Sequence, residues 1–404
     1  MIGWSLRFSS TLRVLACGAK LATTSSRNSP SSVGIDCELS PFPHAIDPRL
    51  NTPLGLIHVC LNMDEIVRFI ACELVASKAK ATAVALAGCR KSFEVPVLDA
   101  LWGTQEHLLP LLKSLPGDVW NEGGYTVSTQ QRIFPSLNYF VWKSLKRFPT
   151  TPEWARFRRY ARSMRKLKQP RPLDNLPLEA LSVLQLCAVN EPLFPNLKTL
   201  QFWPVTGELI PFIPLFLSPR TTDINITFAE SSDLPKAMVA SVVATFPKLC
   251  PNLQRISLES LPRNPMIAAA ISRMLLANDR NSLQSLKVDS PLTEDAHKMI
   301  HRLPNLHELS VIVERVTSFP PLVLPNLAEL DIKYDGDWLQ IFRGATFGKL
   351  ESATFYPGPE QIGGLLEAFG SAILAGSAQN TLSWFSVHTV CSWNPTYSSL
   401  LPFT

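Results

Sequence analysis

His297 and His301 stand four residues apart, with His307 close behind, and on a helix that spacing brings two imidazoles to one face where a metal ion could sit. The glutamate of the hydrolytic zinc motif is missing and Lys298 stands in its place, so two solvated histidines on a repeat helix are expected and no metal is assigned. Gly344-Ala345-Thr346-Phe347-Gly348-Lys349 imitates a phosphate loop. Only three residues separate its glycines, however, and Leu350 replaces the hydroxyl that would hold magnesium, so a turn into a strand is expected. Asp331, Asp335 and Asp337 alternate as in a calcium loop, yet the remaining ligands are absent, which leaves a solvated turn around Gly336. The chain has neither a Gly-x-Ser-x-Gly elbow nor a glycine-rich dinucleotide fingerprint. Its eight cysteines, Cys17, Cys37, Cys60, Cys72, Cys89, Cys187, Cys250 and Cys391, are scattered without any Cys-x-x-Cys, which favours reduced thiols over a disulfide frame or a zinc site. No constellation for catalysis emerges; the expectation is a non-enzyme without cofactor.

What would position any functional surface is a returning phrase, Pro-Asn-Leu-x-x-Leu-x-apolar. It occurs at Pro195-Asn196-Leu197, Pro251-Asn252-Leu253, Pro304-Asn305-Leu306 and Pro325-Asn326-Leu327, with weaker copies at Ser282-Leu283, Lys349-Leu350 and Thr381-Leu382. A degenerate copy runs from Thr222 through Ile224, Ile226 and Phe228. Measured through Leu197, Thr222, Leu253, Leu283, Leu306, Leu327, Leu350 and Leu382, the spacings are 25, 31, 30, 23, 21, 23 and 32, in or near the leucine-rich-repeat period. The proline ends what precedes it, the asparagine is read as supplying turn chemistry, and the leucines enter a short strand. Helix-compatible stretches lie between, at 235–246, 265–276, 293–303 and 361–374. Strand plus helix, repeated, predicts a right-handed solenoid whose strand face is open to a partner. An ordinary proline-rich α/β domain gives the same coarse pattern; the regular return of the phrase favours the repeat.

Candidate partner contacts are the polar residues between apolar ones on these strands: Lys198, Gln201, Arg255, Ser257, Gln284, Lys287, His307, Ser310, Glu329 and Lys333. The chain has 404 residues, 46% of them hydrophobic and 18% charged, enough for two or more packed regions. No apolar run reaches the roughly 18 residues of a spanning helix. The greasiest stretch, 209–217, is cut by Pro211 and Pro214, so no membrane partner is expected and a cytoplasmic or nuclear location is.

Upstream, residues 58–102 read as compact helices. Ile66, Ile70 and Leu74 recur four apart, Ala81, Ala85, Leu86 and Cys89 line a second stripe, and Phe93, Val97, Leu98, Leu101 and Trp102 form an apolar tail with Pro96 at a turn. Leu61-Asn62-Met63-Asp64-Glu65-Ile66 resembles the opening of an F-box, Cys89-Arg90-Lys91-Ser92-Phe93 its middle, and Val95-Pro96-Val97-Leu98 to Leu101-Trp102 its close. The order of this segment before leucine-rich repeats resembles the F-box proteins of mushroom-forming fungi. That family usually has proline after the first leucine; here Asn62 stands there and can cap the helix through its side chain. The resemblance implies a three-helix module docking on the Skp-type adaptor of a Skp–cullin–F-box ubiquitin ligase, with the repeats holding a protein substrate. It implies adaptor contacts at Leu61, Ile66, Val95, Pro96, Leu98 and Trp102, each of which serves equally well as the module's own core.

Residues 143–171 hold eleven Lys and Arg against Glu153 alone, a net of +10; the whole chain is +5, leaving −5 for the rest. Trp154, Phe157, Ala161 and Met164 recur at helical spacing with arginines on the other faces. This basic amphipathic helix suits nucleic acid, an acidic surface or an import signal, but a solvated linker face packed by its aromatic side is favoured. Residues 1–55 have the basic, serine-rich texture of a transit peptide, and a disordered leader is the favoured reading.

The expected organisation is an α/β chain: leader at 1–55, F-box-like helical module at 56–115, linker with the basic helix at 116–177, and an irregular leucine-rich-repeat solenoid at 178–404. Leu400-Leu401-Pro402 resembles the lead-in to another repeat, for which a truncated C-terminus is one reading, and the sequence alone leaves it open. The expected function is substrate receptor of the ligase. The alternatives are a repeat scaffold without ligase coupling and, more remotely, a nucleic-acid binder acting through the basic helix.

Overall fold

The computed structural model describes residues 3–7, 64–122, 142–169, 178–188, 191–229, 234–277, 282–301, 303–313, 321–334 and 336–388. Helices are α1 (Asp64–Ala76), α2 (Lys80–Cys89), α3 (Lys91–Trp102), α4 (Leu109–Leu112), α5 (Thr151–Ser163), α6 (Leu178–Cys187), α7 (Ile213–Phe216), α8 (Lys236–Leu249), α9 (Pro265–Ala277), α10 (Glu294–Ile300), α11 (Trp338–Phe342) and α12 (Ile362–Ala375). Strands are β1 (Gly3–Arg7), β2 (Thr104–Gln105), β3 (Trp120–Glu122), β4 (Trp142–Leu145), β5 (Lys166–Gln169), β6 (Thr199–Val205), β7 (Asp223–Phe228), β8 (Arg255–Glu259), β9 (Ser285–Pro291), β10 (Glu308–Val313), β11 (Val323–Leu324), β12 (Glu329–Tyr334), β13 (Thr346–Phe347), β14 (Ser352–Tyr356) and β15 (Trp384–His388).

Eleven strands form one sheet in the order β1-β15-β14-β12-β10-β9-β8-β7-β6-β5-β2. Every pairing is parallel except β1 with β15, so from β5 to β15 each main-sheet strand lies beside the next one along the chain. Among the described residues no closed barrel forms. The sheet reaches upstream of residue 178: β2 and β5 belong to it, and the segment expected as a linker supplies a repeat strand.

One face of the sheet is the core. Leu167, Leu200, Ile224, Ile256, Leu286, Leu309, Leu330 and Ala353 sit side by side in register, and Phe202, Ile226, Leu258, Val288, Val311, Ile332 and Phe355 form a second row; all are buried with α8, α9 and α12 residues such as Val243, Ile271 and Phe369. Each Leu, Ile, Val or Phe of these rows contributes about 1.5–3 kcal/mol on burial. Because the period along a strand is two, the alternate residues are driven to the opposite face.

The strand starts repeat one device. The carbonyls of Gly103, Arg165, Lys198, Thr222, Gln254, Gln284, His307, Ala328 and Glu351 each accept two successive backbone N–H groups from the next strand over. The asparagines of the repeated phrase do more than shape a turn. Asn196, Asn252 and Asn326 donate through their side chains to the carbonyls of Arg162, Pro219 and Pro304 in the preceding unit, at 2.6, 3.2 and 2.9 Å. Where the asparagine is lost, Ser282 and Thr381 reach the carbonyls of Leu253 and Leu350. In the degenerate copy the register pairs Thr199 with Asp223, so Thr221 and not Thr222 shares the column of Leu197. Thr221 is fully buried and donates to the Leu197 carbonyl, which is how a hydroxyl survives in a leucine column.

Candidate functional site

Two surfaces are positioned by this frame. On α1–α3, Val67, Ala71, Ala83 and Val97 make a small core flanked by Leu74, Leu86, Phe93 and Leu101. The second stripe expected from sequence is displaced: Ala83 is the buried residue of α2, while Ala81, Ala85 and Cys89 are exposed. Pro96 is not at a turn but inside α3, where it is buried and withholds the donor that would meet the Ser92 carbonyl.

Among the expected adaptor contacts, Leu61 lies outside the described residues, Ile66 and Leu98 are half-buried, and Val95 is 61% exposed. Pro96 is committed to the interior, and the half-buried Trp102 stacks on Tyr160 of α5 at 4.8 Å. Phe69, at 65% exposure, and Val84, at 59%, are open apolar residues that the sequence reading missed. Their signal was available, since each falls off the buried stripe of its helix.

The three helices are fastened to the sheet through α5. Asp99 of α3 takes Arg165 at 3.0 Å and Arg68 at 3.8 Å, and Glu94 pairs with Arg159. Arg158 and Arg162 of α5 pair with Glu191. Phe157, Ala161 and Met164 are fully buried, with Trp154 and Tyr160 packed beside them. Four arginines of the basic block are thus held by carboxylates of the chain itself. Arg147 is a fifth: it joins Asp118 to Glu153 and holds the Glu153 carboxyl down to about 2.

The second surface is the face of the sheet opposite the helices. Its residues form aligned rows. The row at the strand starts holds Lys198, Thr222, Gln254, Gln284, His307, Ala328 and Glu351. The next runs Lys166, Thr199, Asp223, Arg255, Ser285, Glu308, Glu329 and Ser352; the one beyond it runs Lys168, Gln201, Asn225, Ser257, Lys287, Ser310, Asp331 and Thr354. Lys333 and Tyr356 follow one step further along their strands. The ten candidate contacts divide among these rows: Lys198, Gln284 and His307 at the strand starts, Arg255 and Glu329 next, then Gln201, Ser257, Lys287 and Ser310, and Lys333 last.

Charge on this face is arranged in pairs toward its middle. Asp223 meets Arg255, Lys287 meets Glu308, and Lys333 reaches across β10 to Asp289 at 3.2 Å. Lys333 also lies 5.4 Å from the Tyr356 ring centre, and that ring stacks on His388. Glu308 and Glu329 stand directly opposite each other on neighbouring strands, an arrangement that costs stability. Burial opposes ionisation of Glu308, but hydrogen bonds from Lys287 and Ser285 outweigh it and hold that carboxyl below the usual range. The hydrogen bond to Glu308, then burial, pushes Glu329 up. Burial likewise raises Asp331, with Lys333 and Ser310 offsetting part of it. Asp331 is therefore a strand residue of this face and not part of a solvated turn, whereas Asp337 caps α11 by accepting from the Leu339 N–H.

Among the described residues no three His, Cys, Asp or Glu side chains gather as metal ligands. His297 departs from expectation: it is 2% exposed, and burial pushes its imidazole down to about 4. The apparent phosphate loop is a turn. Gly344 has φ of 69°, β13 follows, and a Cβ on Gly348 would stand 2.3 Å from the Pro325 carbonyl oxygen. No described helix is long and apolar enough to cross a membrane.

The class defined by these features is an α/β chain on a large, mostly parallel sheet, helix-covered on one face and polar on the other. Neither a protein-family model nor a curated protein matches it.

Proposed function

We propose that the chain is a non-catalytic receptor subunit of a Skp–cullin–F-box ubiquitin ligase, with α1–α3 as a divergent F-box that docks on a Skp-type adaptor and the polar sheet face holding the protein to be ubiquitinated. The observation that carries this reading is the pairing of two free surfaces on one joined frame. One is the set of exposed apolar residues on a three-helix segment, Phe69, Val84 and Val95, one on each helix; the other is a row-ordered polar surface on the sheet. Parallel sheets are ordinarily covered on both faces, so a face that no described helix covers supports a surface kept for something else. The mechanism is proximity: the receptor holds its target beside an enzyme supplied by other subunits, and no group of its own takes part in bond making. The ion pairs of α3 with Arg159 of α5 and with Arg165, just before β5, tie the two surfaces together.

The test is a pull-down of the full chain by purified adaptor, with Phe69→Asp and Val95→Asp alongside and circular dichroism to establish that each variant folds. Both side chains are exposed, so the variants are expected to fold as the parent does while losing at least about tenfold in adaptor affinity. No binding by the folded parent chain sinks the ligase reading and leaves a repeat scaffold.

A further inference from the structure

The polar sheet face concentrates charges that form no ion pair at two poles. Each of the three aligned rows carries a lysine in β5 or at the start of β6 and, six strands on, a carboxylate in β12 or at the start of β14: Lys198 to Glu351 at the strand starts, Lys166 to Glu329 in the next row, Lys168 to Asp331 in the one after. At about 4.8 Å per strand, six steps put the poles roughly 29 Å apart along the face. Between them most charges are neutralised locally, as Asp223 with Arg255, Lys287 with Glu308 and Asp289 with Lys333, while Glu259 of β8, in no ion pair among the described residues, accepts hydrogen bonds from Thr227 and Ser257. At the poles they are not. Lys166, Lys168 and Lys198 form no ion pair among the described residues, and neither do Glu329, Asp331 or Glu351.

An internal role would bring these six charges to partners, as it does for Asp289 and Lys333 across an intervening strand. Instead the same polarity recurs in three rows, with Glu329 set directly against Glu308 at a cost to the fold. Two separate features, exposed ammoniums at one end and carboxylates without an ion pair among the described residues at the other, ask for opposite charges at a fixed distance.

We infer that the sheet face selects a protein segment of matching polarity, with a Lys/Arg cluster that seats on Glu329, Asp331 and Glu351 and, about 30 Å away, an acidic cluster that seats on Lys166, Lys168 and Lys198. The inference rests on the sheet face being the receptor's capture surface, and it supplies the class of protein captured. Charge placed this way sets orientation and on-rate more than raw affinity. A segment carrying one cluster alone satisfies one pole and leaves the other unmet.

The experiment uses the full chain and three labelled alanine-rich helical peptides of about 20 residues, close to 30 Å long. One bears three lysines at one end and three glutamates at the other; the second bears only the lysines, the third only the glutamates. Fluorescence anisotropy at low ionic strength is expected to give the two-pole peptide about tenfold tighter binding than either single-pole peptide, with the advantage lost in high salt. Neutralising Glu329 and Glu351 to Gln should weaken the two-pole and lysine peptides and spare the glutamate peptide, and Lys166→Gln with Lys168→Gln should do the reverse.

Exchanging the poles, with Lys166, Lys168 and Lys198 changed to Glu and Glu329, Asp331 and Glu351 to Lys, should restore two-pole binding because the peptide can turn end for end. Equal binding of all three peptides, indifference to the pole substitutions, or failure of the exchanged face to recover would each overturn the inference. Adaptor binding is a separate readout on α1–α3. Its loss with two-pole binding intact removes the ligase reading alone, and the converse removes only this one.

Discussion

Replacing Gly348 by alanine tests how tightly consecutive units are stacked. The added Cβ would lie 2.3 Å from the Pro325 carbonyl oxygen, 3.1 Å from its carbon and 3.2 Å from its Cα, all backbone atoms. Pro325 cannot retreat freely. It stands between Leu324, whose strand pairs with Phe347, and Asn326, whose side chain is tied to the Pro304 carbonyl. Relief of about 1 Å therefore breaks roughly two hydrogen bonds at about 1 kcal/mol each, on top of about 1–2 kcal/mol of overpacking, for a loss of about 3–4 kcal/mol. Gly370 is the control: it lies within α12 with nothing inside 4 Å of its would-be Cβ. Gly370→Ala should stabilise by about 0.5–1 kcal/mol through helix propensity. Urea unfolding followed by circular dichroism reads both. A Gly348→Ala midpoint indistinguishable from the parent would refute the close stacking of β13 on the Pro325 turn.

Two further outcomes follow from buried groups. His297 titrates near 4 when folded against 6.5 when free, so the unfolded chain takes up its proton first; the stability it contributes is complete above pH 6.5 and is lost as pH falls toward 4, by about 3 kcal/mol. His297→Asn should flatten thermal stability over that window, and an unchanged pH profile would count against burial of the imidazole. Burial pushes the Cys250 thiol up to about 12, whereas Cys72 and Cys89 are exposed, so alkylation at pH 8 with site-by-site mass spectrometry should label the latter two in the native protein and Cys250 only on unfolding. Native labelling of Cys250 at their rate would show that α8 opens readily at its C-terminal end.

Local patterns were legible in the chain alone where one face had to be apolar. The helices at 236–249, 265–277 and 362–375 coincide closely with stretches read from sequence, because their apolar spacing and flanking prolines or turns leave little choice. The stripe Phe157, Ala161 and Met164 was equally legible, since a period of 3.6 identifies the buried side without reference to a neighbour. In α2, where nearly every residue is alanine or another small side chain, periodicity carries too little contrast, and tertiary packing selected Ala83 over Ala81 and Ala85.

The sequence by itself determined that strands and helices alternate, that leucine or its substitute closes each turn, and that polar residues alternate with the core rows; these follow from repeat spacing and the two-residue period of a strand. Only the tertiary structure decided what depends on register between segments 20–30 residues apart. It placed Thr221 in the leucine column, turned the asparagines into ties between units, drew β2 and β5 into the sheet, and set Glu308 against Glu329. The physical reason is that a strand's own sequence specifies which residues share a face, while the partner of each residue across the sheet is specified by how neighbouring units stack. The three rows that run from lysine to carboxylate exist only in that second relation.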